Sequence, residues 1–275
     1  MLLPRPALMA LARFTTRHER LMAPLHVSRF KIQVPGLAGV FGGFVIAHVS
    51  DFHVAGVDWL PIRVSEAAAA VRQAHPAVVV NSGDFLQWTP PLDTVLQVVS
   101  PFTPVGWTDE HPPAALGILG NHDYFADQRT VRDLTRGLSG LGMRMIVNQA
   151  VCWERGQESL SFVGLTDHTD DFEDGVRQLL EARRPRIAVI HEPDLIESLP
   201  HGAADFVIAG HTHGGQITVP GFARRIARRY GDTNYGDGFY WVNGMFMFVN
   251  RGLGTTGIPL RFRARPEVAL LTLVR

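Results

Sequence analysis

Short apolar runs alternate with amphipathic stretches along most of the chain. Phe30–Val34 and Phe44–Val49 read as strands, and Val64–Gln73 carries helical spacing that stops before His75 and Pro76. Ala77–Asn81 and Ala115–Leu119 are apolar runs of strand length. Val131–Leu141 predicts a helix with Gly142 as its stop, and Phe172–Ala182 predicts another ahead of Pro185. Met145–Asn148, Ala150–Arg155 and Leu160–Leu165 read as strands, as do Ile187–Ile190, Phe206–Ala209, Phe246–Asn250 and Val268–Val274. Such runs fit strands buried on both faces, and their alternation with helices predicts an α/β fold.

Two stretches break the pattern. Gln87–Pro113 is rich in proline and carries Trp88 and Trp107; it reads either as a substrate-facing flap or as a surface excursion. Residues 1–29 read as an N-terminal extension ahead of a main domain at 30–275. Leu8, Met9, Leu11 and Phe14 fall on one side of an amphipathic helix, which would lie on a membrane surface or pack on its own domain. Arg5, Arg13, Arg17 and Arg20 interrupt the apolar residues, so nothing there approaches the roughly twenty residues that span a bilayer. The chain is therefore expected in the cytoplasm, with peripheral contact on the inner face of the membrane as an option.

The informative polar residues stand where the apolar runs stop. HVSDFH ends in Asp51 and His53, VVVNSGD in Asp84, and GILGNHD in Asn121, His122 and Asp123. AVIH ends in His191, and FVIAGHTHGG in His211 and His213. In α/β sheets, sites form beyond the carboxyl ends of strands. In extended chain, residues i and i+2 point the same way. Asp51 would thus share a site with His53, and His211 with His213.

Composition then narrows the donors. Twelve histidines and a single cysteine, Cys152, exclude an intrachain disulfide framework and a cysteine-based zinc site. The 26 basic and 26 acidic residues cancel, which argues against a general nucleic-acid binder. Imidazole, carboxylate and amide oxygen suit Mn, Fe, Zn, Ni or Co. Two Asp, one Asn and four His exceed the three or four ligands of one catalytic zinc. With a bridging Asp they fit two ions about 3.5–4 Å apart.

The five blocks DxH, GD, GNHD, H and GHxH, in this order over residues 44 to 216, resemble the calcineurin-like metallophosphoesterase superfamily. His191-Glu192-Pro193-Asp194, GHTHGGQI and Val249–Glu267 are similar to its bacterial membrane-associated phosphodiesterase branch, which includes UDP-diacylglucosamine pyrophosphohydrolases. The resemblance implies a four-layer α/β/β/α sandwich of two mixed sheets flanked by helices, with a dimetal site at the strand C-terminal edge. It implies one metal held by Asp51, His53, Asp84 and His213, and a second by Asp84, Asn121, His191 and His211, with Asp84 bridging. The ions are two divalent metals, Mn or Fe first, with Zn, Ni, Co or Mg also compatible. His122 is implied as a general acid or transition-state donor, and Asp123 as its orienting partner or as a former of the turn. The implied reaction is hydrolysis of a phosphodiester or pyrophosphate bond by metal-bridged hydroxide, on a lipid-linked or nucleotide-sugar substrate. A soluble phosphomonoesterase or cyclic-nucleotide phosphodiesterase is the alternative, and a non-catalytic binding module a more distant one.

Other residues carry smaller expectations. His48, inside an apolar run, reads as a core or supporting residue. Cys152 reads as a core residue in its strand. Arg224, Arg225, Arg228 and Arg229 form either a phosphate- or lipid-facing patch or a solvated cationic face. Arg225, with Arg251 and Arg261 from the tail, is a candidate substrate-binding residue.

Overall fold

The computed structural model describes residues 23–56, 63–103, 114–218 and 234–275, together with 6, 7, 9, 10 and 14. One sheet contains β1 (His26–Gln33), β2 (Val45–Val49), β3 (Val78–Asn81), β4 (Ala115–Gly117), β5 (Arg144–Met145) and the late strand β12 (Glu267–Val274), in the order β1-β12-β2-β3-β4-β5. The other contains β6 (Gln149–Arg155), β7 (Glu158–Leu165), β8 (Arg186–Ile190), β9 (Phe206–Ala209), β10 (Gly238–Val242) and β11 (Met245–Val249), in the order β10-β11-β9-β8-β7-β6. Both sheets are mixed. β12 runs antiparallel to β2 in the first, and β6 and β10 run antiparallel to their neighbours in the second.

Side-chain alternation sets the layers. Ile46, Val78, Val80 and Leu116 of the first sheet meet Phe162, Ile187, Val189, Phe206 and Ile208 of the second in one shared core. The opposite face of the first sheet, through Ala47, Val49 and Val79, packs on α1 (Val64–Ala74), α2 (Leu92–Val99) and α4 (Gln128–Gly140). The opposite face of the second, through Val163, Ala188 and Val207, packs on α5 (Phe172–Glu181) and the 3-10 turn Pro193–Ser198. The order of layers is helix, sheet, sheet, helix, as expected. Burying each Phe, Leu or Ile in these layers contributes about 1.5–3 kcal/mol.

Several boundaries differ from the sequence reading. β1 starts at His26 rather than Phe30, because Val27–Arg29 continue the parallel ladder with β12. Leu92–Val99, inside the stretch read as irregular, is a helix that buries Val95, Val98 and Val99; the flanking prolines masked its apolar spacing. β10 went unread because none of its residues is fully buried and their burial does not alternate. Cys152 is exposed, since β6 turns Trp153 inward and Cys152 outward. The remainder of the proline-rich stretch, 104–113, lies outside the described residues, as do Leu8 and Leu11. Met9 of the amphipathic segment is partly buried against the same apolar cluster as Ala55, Trp88 and Ile258. Among the described residues, no helix is long and apolar enough to cross a membrane.

Candidate metal centre

Three strands of each sheet end at one edge of the sandwich. β2 delivers Asp51 and His53, β3 delivers Asp84, and β4 leads into the short helix α3 (Asn121–Tyr124). β8 delivers His191, β9 delivers His211 and His213, and β11 leads into the 250–254 turn behind Asp51. All seven sequence-predicted donors converge there. They sort into two groups joined at Asp84. In the first, His53 Nε2 lies 3.0 Å from His213 Nε2 and 3.8 Å from Asp51 Oδ1, and His213 Nε2 lies 3.6 Å from the same oxygen. In the second, Asn121 Oδ1 lies 3.1 Å from His191 Nε2 and 3.2 Å from His211 Nδ1. Asp84 Oδ2 is 3.2 Å from both His53 Nε2 and His191 Nε2.

Alternation in extended chain would have placed His211 and His213 together, but the structure sends them to different groups. The reason is backbone geometry. His211 (φ 73°) and His213 (φ 53°) are left-handed, and so are Asp51 (54°), His53 (47°) and Asp84 (60°). Non-glycine residues there carry a cost of about 1–3 kcal/mol each, and they concentrate at functional sites. Glycines close the frame. A Cβ on Gly83 (φ 102°) would sit 2.6 Å from the Gly120 nitrogen, and one on Gly252 (φ 66°) 2.5 Å from the Asp51 Cβ. Only residues without a Cβ let these loops meet.

The donor set fits divalent ions. Imidazole nitrogens face one another at 3.0 Å and 3.3 Å, in His53–His213 and His211–His191. Two buried carboxylates and four imidazoles crowd this close when a cation stands among them. Burial alone would raise Asp51 and Asp84, yet the surrounding imidazoles hold both well below the usual carboxylate range. Burial works against a charge on His191, but the Asp84 carboxylate overcomes it and pushes the imidazole up to about 10. His211 and His213 go the other way, lowered by burial. His191 Nδ1 lies 2.7 Å from the Ser82 carbonyl, so it donates there and turns Nε2 toward the cluster.

His122 and Asp123 belong to the same turn but do different things. The His122 amide donates to Asp84 Oδ1 at 2.9 Å, and its ring meets the His53 ring edge-on at 4.7 Å. Burial first, then His53, pushes the His122 imidazole down to about 4, leaving a neutral ring with one N–H to give. Asp123 faces backbone instead of His122. Its oxygens accept from the amides of Gly120 at 2.9 Å, Asp84 at 3.0 Å and Leu86 at 2.9 Å. Of its two sequence roles, the contacts favour forming the turn. Burial and the Asp84 charge push its carboxyl up to about 7.

The arginines depart furthest from the sequence reading. Arg261 is buried at 3% exposure behind the cluster. Its guanidinium donates to His213 Nδ1 at 3.1 Å, and to the carbonyls of Gly254 and Arg251 at 2.7 Å each. The adjacent glycines were the available signal, since they bring the tail loop back onto the DxH turn. Arg251 is held by Glu267 at 2.9 Å and lies 3.6 Å from Asp237, so it braces the tail against β12. Arg225 lies outside the described residues. His48 is buried and meets Ser82 Oγ at 2.9 Å, a supporting position behind the loop.

Comparison with known proteins agrees with this geometry. The calcineurin-like phosphoesterase family matches residues 44–215. The uncharacterised metallophosphoesterase YkuE of Bacillus subtilis (strain 168) is 30% identical over 236 residues, covering 85% of this chain and 80% of its own. The phosphodiesterase YaeI of Escherichia coli (strain K12) is 27% identical over 237 residues, covering 84% and 82%. The UDP-2,3-diacylglucosamine pyrophosphatase LpxG of Chlamydia muridarum (strain MoPn / Nigg) is 28% identical over 167 residues, covering 55% and 49%.

Proposed function

The chain belongs to the calcineurin-like phosphoesterase family and is a metal-dependent phosphoester hydrolase; on that premise we propose that it cleaves a phosphodiester or pyrophosphate bond at a two-metal centre. The observation carrying the reading is the position of Asp84 Oδ2, 3.2 Å from an imidazole nitrogen of each donor group. Asp51, His53 and His213 would hold one ion and Asn121, His191 and His211 the other, with Asp84 placed to serve both. Mn or Fe suits this mixed nitrogen and oxygen set. When bound, two dications supply hydroxide near neutral pH and offset negative charge on the phosphoryl oxygens.

The chain's own groups do the rest. His122 gives its N–H to the leaving oxygen as charge grows there. Asp123 ties the Asp84 loop to the α3 turn, so that Asp84 and His122 keep a fixed relation. Arg261 and Arg251 hold the tail loop behind His213 and Asp51. A lipid-linked or nucleotide-sugar substrate is supported by the named activity of LpxG.

The test is a screen of purified protein with added Mn²⁺ against pyrophosphates, phosphodiesters and phosphomonoesters, with lipid-linked substrates dispersed in detergent. Turnover of a diester or pyrophosphate above any monoester is expected. Preference for a monoester would overturn the bond assignment, and preference for a soluble nucleotide over the lipid-linked substrate would overturn the substrate class.

A further inference from the structure

Phe125 is the most exposed large apolar side chain among the described residues, at 74%. It is not placed at random. Its amide donates to the Asn121 carbonyl at 3.1 Å, so it closes the same turn that presents Asn121 and His122. Its ring lies 5.3 Å from the His122 ring at an interplanar angle of 57°. On another side, His122 meets the edge of His53 at 4.7 Å. The His122 ring therefore has a candidate metal ligand against it in one direction and an open aromatic surface in another.

That arrangement sets the direction of the leaving group. Displacement in line at phosphorus places the leaving oxygen opposite the attacking one. If His122 hydrogen-bonds that oxygen, the group attached to it extends past the His122 ring. The exposed aromatic side chain packed on that ring is Phe125. We propose that Phe125 is a specificity-determining residue that carries the leaving group on its ring, so that the site prefers phosphodiesters with an aromatic or apolar leaving arm. The inference rests on the donor role of His122 proposed above. Aromatic contact and apolar burial at one such position discriminate between substrates by roughly tenfold.

The experiment compares two methyl phosphodiesters, one with a p-nitrophenyl and one with a trifluoroethyl leaving arm, followed by ³¹P NMR with added Mn²⁺. The quantity read is the ratio of their kcat/KM values. Phe125→Ala should lower that ratio roughly tenfold, and Phe125→Trp should keep it. Trp241→Ala, which removes an equally exposed ring at the far end of β10, should leave it unchanged. A second readout needs no turnover: inhibitor titration or calorimetry should show phenylphosphonate favoured over methylphosphonate in the wild type, and not in Phe125→Ala. Metal content and thermal unfolding of each variant confirm an intact centre. An unchanged ratio and an unchanged phosphonate preference in Phe125→Ala would overturn the proposal. His122→Ala separates the two layers of argument. If it turns over normally, the donor reading fails; if it is crippled while Phe125→Ala leaves both readouts intact, only the leaving-group assignment fails.

Discussion

The two donor groups share Asp84 yet are backed in opposite ways. Behind His191 stands a carbonyl, Ser82, which takes the Nδ1 proton and turns the other nitrogen inward. Behind His213 stands a buried cation, Arg261, which only donates. Burial lowers that guanidinium to about 10, so it stays charged at neutral pH, and the ion pairs found among the described residues do not include it. A positive charge beside a cation site works against the cation. The group of Asp51, His53 and His213 is also the more closed, with all three residues buried, whereas His211 of the other group is partly exposed. On the proposed two-metal reading, the Arg261 charge behind His213 weakens the ion at Asp51, His53 and His213 relative to the other. The two ions should therefore differ in affinity, even though their ligand chemistry is similar.

The largest expected effect tests what the groups share. Asp84→Asn removes the carboxylate facing both, so turnover should fall by at least the roughly 10²–10⁴-fold that a positioned catalytic group supplies. Steady-state kinetics with added Mn²⁺ reads this, and retention of more than a tenth of wild-type kcat would break the account of Asp84. His122→Ala should lose about 10²–10⁴-fold in kcat while both ions stay bound, as measured by elemental analysis. Loss of an ion there would make His122 a ligand instead.

Smaller effects sharpen the contrast. Gly252→Ala places a Cβ 2.5 Å from the Asp51 Cβ, so it should weaken the Asp51–His53–His213 ion by about 10–100-fold and spare the other. Competition with a calibrated chelator would resolve two affinities, and equal loss from both sites would erase the distinction. The smallest effect concerns the support behind the loops. Burial drives His48 down to about 3, whereas an unfolded histidine titrates near 6.5. Between those values the unfolded chain binds the extra proton, so stability from this group is full above pH 6.5 and falls as pH drops toward 3. At pH 5 the loss is about 2 kcal/mol. His48→Gln should remove it, read as a flatter pH dependence in urea melts; an unchanged slope would mean other groups set the acid limit.

Much of this centre was legible in the sequence because ligands at strand ends interrupt apolar runs. Asp51, Asp84, His191 and His211 each follow such a run by a few residues. What could not be read locally depends on backbone torsion and on distant loops. The parting of His211 from His213 comes from left-handed torsions that no side-chain period reports. The position of Arg261 comes from a tail that crosses the sequence to meet His213, 48 residues earlier. From the sequence, Asp123 reads equally as an orienting partner of His122 or as a former of the turn, and its contacts with three amides favour the turn. The fold was read more fully than its edges. Leu92–Val99 and Gly238–Val242 were missed where proline flanks or weak alternation hid the period.

The most direct measurement of the central claim is ion stoichiometry in the wild type, His213→Ala, His211→Ala and Asp84→Asn, by elemental analysis after matched dialysis. The account predicts two ions per chain in the wild type, one in each histidine variant, and loss from both sites in Asp84→Asn. In the wild type, the ion at Asp51, His53 and His213 should leave first as chelator is raised. Two full sites in Asp84→Asn, or one ion per wild-type chain, would contradict it.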